Sequence, residues 1–76
     1  MEITDHLDAT GLLCPLPVLK LRKRLGPLTP GQCIELRADD PAAVVDVPHF
    51  CAEAGHDLVS VTEADGVQTY VVRKSG

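Results

Sequence analysis

Polar and apolar residues alternate from His6 to Thr10, the period of a short strand with one face buried. Thr10-Gly11 then turns the chain into Leu12-Leu13-Cys14-Pro15-Leu16-Pro17. From Pro15 to Leu25 the period becomes helical, with Val18, Leu21 and Leu25 on one face and the basic residues largely away from it. Gly26-Pro27 ends that helix, since glycine suits the residue after a last turn and proline follows where the helix stops. Beyond the turn Thr29-Pro30-Gly31-Gln32, a strand from Cys33 to Ala38 sets Ile34, Leu36 and Ala38 to one side and Glu35 and Arg37 to the other. A second helix is predicted to open with Asp40 as N-cap and Pro41 at the first helical position, and to run to Ala54 before Gly55. Its apolar positions are Ala43, Val47, Phe50 and Ala54. An interior proline costs about 3 kcal/mol or more, so Pro48 predicts a kink or a restart. Two β-rich runs, Leu58–Ala64 and Val67–Lys74, flank Asp65-Gly66, a dipeptide that marks a tight hairpin.

The order β-α-β-α-β-β calls for a crossover through each helix and an antiparallel hairpin at the end. Right-handed crossovers put both helices on one face of the sheet. The expected fold is therefore α+β, a two-layer α/β sandwich with a mixed four-stranded sheet, in one domain over residues 1–76. A chain of 76 residues buries only about 60% of the surface that its unfolded form exposes, which predicts modest stability.

Composition narrows the function classes. No apolar run approaches the roughly 18 residues needed to cross a bilayer, and Met1-Glu2-Ile3-Thr4-Asp5 lacks the apolar stretch of a signal peptide. A cytoplasmic protein with no membrane partner is expected. The three cysteines, Cys14, Cys33 and Cys51, are too few and too scattered for the disulfide framework of a small secreted domain. Reduced thiols in a cytosol fit better, which turns the question from stapling to chemistry.

The net charge of -4 is unevenly spread. Between Gly11 and Gly31 stand Lys20, Arg22, Lys23 and Arg24 and no acid, while every acidic residue lies outside that stretch. The negative balance argues against direct nucleic-acid binding, and aromatics at 3% provide no platform for bases. The basic cluster suits the last turn of a helix, and it also suits steering towards one acidic protein partner.

Cys14-Pro15-Leu16-Pro17 combines several unusual choices. Cysteine takes the predicted N-cap position, and Pro15 and Pro17 take the first and third helical positions, where a missing N–H is tolerated. Their fixed φ stiffens the turn that presents the sulfur. A helix N-terminus lowers a thiol from about 8.5 towards roughly 3.5–7.5, and the two prolines limit the effect by removing donors. A moderate depression is expected, with the amides of Leu16 and Val18 as the nearest donors. No His, Lys or Arg stands within the neighbouring residues, which disfavours a hydrolytic Cys–His site. A buried cysteine acting as a small hydrophobe is the plain structural alternative.

The segment Leu7-Asp8-Ala9-Thr10-Gly11-Leu12-Leu13-Cys14-Pro15-Leu16-Pro17-Val18 resembles the signature of the TusA/SirA-like sulfur carriers, which share a Cys-Pro-x-Pro motif. Pro30-Gly31, Ala38-Asp39-Asp40-Pro41-Ala42, Asp46-Val47-Pro48-His49-Phe50-Cys51 and Arg73-Lys74 look like the TusA branch in particular. The resemblance implies the same β-α-β-α-β-β sandwich and a persulfide on Cys14, supported by Pro15 and Pro17. It implies a cysteine desulfurase or a rhodanese-like protein as donor and a downstream sulfur-relay protein as acceptor, on a path towards tRNA 2-thiouridine. Sulfur oxidation and cofactor assembly are the other pathways it leaves open. Lys20, Arg22, Lys23 and Arg24 are the expected docking residues, and no cofactor is expected.

Rival readings rest on other residues. A regulatory binding module would not need Cys14, and a dithiol redox protein would pair it with Cys33 or Cys51, neither of which stands in a Cys-x-x-Cys spacing. His49, Cys51 and His56 do not form a zinc pattern, and Cys51 falls on the helix beside core positions, so no metal is expected. His6 reads as an exposed or edge residue. Asp40 reads first as a helix cap and second, with Asp39, as a docking point.

Overall fold

A computed structural model describes residues 2–75. Its elements are β1 (Ile3–Asp8), α1 (Leu16–Leu25), β2 (Cys33–Ala38), α2 (Ala43–Ala54), β3 (Asp57–Ala64) and β4 (Val67–Arg73). They form one four-stranded sheet in the order β1-β2-β4-β3, with β1 and β2 parallel and the other pairs antiparallel. This is the expected mixed sheet with both helices on one face.

The layers follow from the alternation read in the sequence. Ile34, Leu36 and Ala38 of β2 and Tyr70 and Val72 of β4 are buried and pack with Leu21 and Leu25 of α1 and Val47, Phe50 and Cys51 of α2 in one cluster. The other face of the sheet carries His6, Glu35 and Arg37, with His6 Nδ1 3.3 Å from Glu35 Oε1.

Several boundaries differ from the pattern-based reading. β1 starts at Ile3 and ends at Asp8, because pairing with β2 begins at Ile3↔Cys33 and passes through an irregularity before Asp5. The Asp8 carboxylate accepts from the Thr10 amide at 3.0 Å and the Thr10 hydroxyl at 2.6 Å, which closes a turn and stops the strand. α2 starts later than expected. Asp40 Oδ1 accepts from the Ala42 amide at 3.1 Å, and its carbonyl accepts from the Ala43 amide at 3.0 Å, so Asp40-Pro41-Ala42 forms a turn ahead of the helix.

Pro48 neither breaks nor restarts α2, which is continuous from Ala43 to Ala54. The carbonyl that loses a partner is that of Val44, whose residue is 48% exposed, so water can satisfy it. Burial of Val47, Phe50 and Cys51 on the inner face opposes the loss of that one hydrogen bond. The hairpin is as predicted: Asp65 at φ 54° and Gly66 at φ 80° join β3 to β4, the two positive angles that a type I′ turn needs.

Candidate functional site

The loop between β1 and α1 is held by the end of β2. Asp39 Oδ1 accepts from the Gly11 amide at 2.9 Å, and Asp40 Oδ2 accepts from the Cys14 amide at 2.6 Å. The two oxygens of Asp40 thus divide between the start of α2 and the cysteine. Asp39 and Asp40 are neither a plain helix cap nor free docking residues. They fasten the loop that carries the thiol.

Cys14 is not the N-cap. That place belongs to Pro15, and the first i→i−4 bond runs from the Leu19 amide to the Pro15 carbonyl at 3.1 Å. The Cys14–Pro15 peptide bond is cis. Pro17 lies buried in the first turn and anchors it against the protein, whereas Pro15 is exposed. The Leu16 amide is engaged by the Leu13 carbonyl at 2.9 Å and is no donor to the sulfur.

The thiol therefore behaves opposite to the helix-terminus argument. A hydrogen bond to the Asp46 carboxylate, desolvation and the charges of Asp46 and Asp40 push Cys14 above the ordinary thiol value. The physical reason is simple. The prolines supply no N–H, the Leu16 and Cys14 amides are spent on other acceptors, and two carboxylates disfavour a third negative charge beside them.

Cys14 sits at one end of a groove of about 270 Å³ between the two helices. Pro15, Val18 and Arg22 line it from α1 and its approach, and Asp46, His49, Phe50 and Glu53 line it from α2. His49 Nε2 lies 3.4 Å from Glu53 Oε1. Leu13 and Leu16, which flank the cysteine along the chain, are 70% and 45% exposed, and Val45, next to Asp46, is 70% exposed. The thiol has an apolar shoulder beside a charged groove.

The four basic residues of α1 are all exposed but do not form one patch. Arg22 faces the groove with Cys14, whereas Lys20, Lys23 and Arg24 line a separate depression with Leu7 and Pro27. Arg24 Nη1 also donates to Asp5 Oδ2 of β1 at 2.8 Å, which holds that carboxyl below its ordinary value. The other two thiols are inaccessible, Cys33 at 3% and Cys51 at 2% exposure, and burial pushes Cys51 up. Cys51 belongs to the core, and His56 packs its ring against Phe50 at 5.9 Å. His49, Cys51 and His56 therefore serve different surroundings.

Asp46 is the site residue that reading the sequence missed. It lies in the first turn of α2, and only the packing of α2 beside α1 brings it to Cys14. Its outward place next to the core position Val47 was the available signal.

A β-α-β-α-β-β sandwich with one exposed thiol beside an interhelical groove defines a small α+β domain with a single accessible cysteine. Residues 5–74 match the family model described as Sulfurtransferase TusA, and the chain belongs to that family. Membership brings a sulfur-carrier role and contact with other proteins of a sulfur relay. The crystal structure of the SirA-like protein from Desulfitobacterium hafniense has the same fold. It superposes with a TM-score of 0.83 at 23% sequence identity, over 95% of this chain and 99% of its own. None of the helices among the described residues is long and apolar enough to cross a membrane.

Proposed function

We propose that Cys14 takes sulfane sulfur from a donor protein, holds it as a persulfide and passes it to an acceptor cysteine, in the cytoplasm and on a path towards tRNA 2-thiouridine. The observation that carries this reading is the contrast in access: Cys14 is exposed while Cys33 and Cys51 are buried. A thiol exchanged between proteins must be reached by both partners, and exchange rates depend on access as well as on thiolate fraction. The same contrast disfavours a dithiol redox protein, since neither buried thiol is open to exchange.

In the loading step, the Cys14 thiolate attacks the outer sulfur of a donor persulfide. The new bond is Sγ–S, the donor S–S bond breaks, and the donor leaves as a thiolate that takes up the proton given up by Cys14. Pro15 and Pro17 support the presenting turn, and Lys20, Arg22, Lys23 and Arg24 dock the partner together with the exposed Leu13 and Leu16.

The test is intact-mass analysis after incubation with a cysteine desulfurase and cysteine. Wild type is expected to gain one sulfur, and Cys14→Ser none. A sulfur retained by Cys14→Ser would overturn the assignment. Charge reversal at two of the basic residues is expected to slow loading and weaken its salt dependence; indifference would remove them from the docking surface.

A further inference from the structure

We propose that Lys20, Lys23 and Arg24 seat an acidic segment of a partner protein on the flank of α1 turned away from Cys14, so that a partner is held there while the thiol stays open. The inference rests on the carrier reading above. It divides the docking residues into two surfaces, of which this one binds without touching the sulfur.

The two surfaces are separate in space. Leu7, Lys20, Lys23, Arg24 and Pro27 form a depression of about 320 Å³ that shares no residue with the groove lined by Cys14, Val18 and Arg22. At about 100° per residue, Lys20 and Arg24 leave α1 roughly 160° round its axis from Arg22. They also stand one to two turns beyond Pro15, roughly 8–14 Å along the helix. The depression lies between α1 and β1, an edge strand of the sheet.

Its chemistry points to one kind of occupant. Three cations line it and no acid does. Arg24 Nη1 donates to Asp5 Oδ2 at 2.8 Å, so β1 neutralises one of the three. Lys20 and Lys23 are exposed and enter no ion pair among the described residues. Leu7 and Pro27 give the depression an apolar floor between the charges. A peptide segment with carboxylates flanking one apolar side chain matches both features. Nucleic acid matches neither: no aromatic side chain lines the depression, and the chain carries a net charge of -4. Exposed charge pairs raise the rate of encounter more than the affinity, which suits a carrier that must leave one partner for the next.

The test titrates the whole chain, isotopically labelled, with the synthetic peptide acetyl-Glu-Asp-Leu-Glu-Asp-amide and follows amide chemical shifts. Shifts are expected at Leu7, Lys20, Lys23 and Arg24, and not at Cys14 or Asp46. Lys20→Glu/Lys23→Glu should weaken binding about tenfold. Arg22→Glu/Arg37→Glu makes the same change of net charge and should weaken it by less than about twofold. Added salt should loosen the peptide, and alkylation of Cys14 by iodoacetamide should keep its rate with the peptide bound.

Lys20→Gln/Lys23→Gln, checked for native circular dichroism, serves if the glutamate variant does not fold. Shifts centred on Cys14 and Asp46, equal weakening by both double variants, or no shift at millimolar peptide would overturn the proposal. Tighter binding of an oligouridylate of the same charge would do so too. The Cys14→Ser protein should bind the peptide as wild type does, so the seat is measured without any sulfur transfer. Lost peptide binding therefore leaves the persulfide reading in place, and failure of wild type to take up sulfur strikes that reading alone.

Discussion

Cys14 and Cys51 are both held above the ordinary thiol value, with desolvation common to the two and carboxylates acting on Cys14 alone. Cys51 lies at 2% exposure in the core, and removal from water alone disfavours its thiolate. Cys14 is exposed, and it is raised first by a hydrogen bond to Asp46, then by desolvation and by the charges of Asp46 and Asp40. A single direction of shift thus covers an inert packing thiol and a thiol that stays open to partners. What separates them is the cause, since burial removes access along with charge, whereas a neighbouring carboxylate adjusts charge and leaves the sulfur within reach.

The largest effect that could break this comparison is exchange of the two roles. Cys14→Ser should abolish persulfide loading with an unchanged denaturation midpoint, while Cys51→Ser should still load. Loading that depends on Cys51, seen by intact mass, would end the distinction. The adjacent residues Asp46 and Val47 offer the next contrast. Val47 is fully buried, so Val47→Ala should cost about 2 kcal/mol in urea denaturation and leave the alkylation profile of Cys14 in place. Cys51→Ser places a hydroxyl in the same core and should cost about 1–3 kcal/mol.

A smaller effect lies at alkaline pH. The folded-state value of Cys51 is raised, so its contribution is complete below the ordinary thiol value and is lost as pH rises through the folded value. Stability should fall in that window, and Cys51→Ala should flatten the fall in a denaturation series. Tyr70, raised chiefly by burial, adds a decline of the same sign that the variant leaves behind.

The smallest effect belongs to Arg24 and Asp5, an ion pair with side chains 47% and 31% exposed. Arg24→Ala should cost no more than about 1 kcal/mol. Asp5 is depressed, so this contribution holds above the ordinary carboxylate value and fades as pH falls through the folded one. Acid titration of the variant should show a slightly weaker decline than wild type.

Local rules made much of this legible. Asp65-Gly66 reads as a hairpin because few other pairs adopt two positive φ angles, and Ile34, Leu36 and Ala38 read as an inner face because a strand alternates. Cys14 stands out because cysteine before Pro-x-Pro serves no ordinary helix start. The errors came where a partner distant in the chain decides the outcome. Asp46 reaches Cys14 only when α2 packs beside α1, and without it the helix-terminus argument gives the wrong sign for the thiol. Asp40 has all the marks of a cap, yet one of its oxygens leaves the helix to bond Cys14. Pro48 does not interrupt α2, whose inner face buries Val47, Phe50 and Cys51.

The neighbouring carboxylates of Asp39 and Asp40 act as two rivets, through Gly11 and Cys14, between a surface loop and the turn that follows a central strand. The peptide that presents the sulfur is thereby tied into the scaffold at both ends. Such a loop is held in one prepared shape, and the hold is released if the turn at the head of α2 lets go of the Gly11 and Cys14 amides.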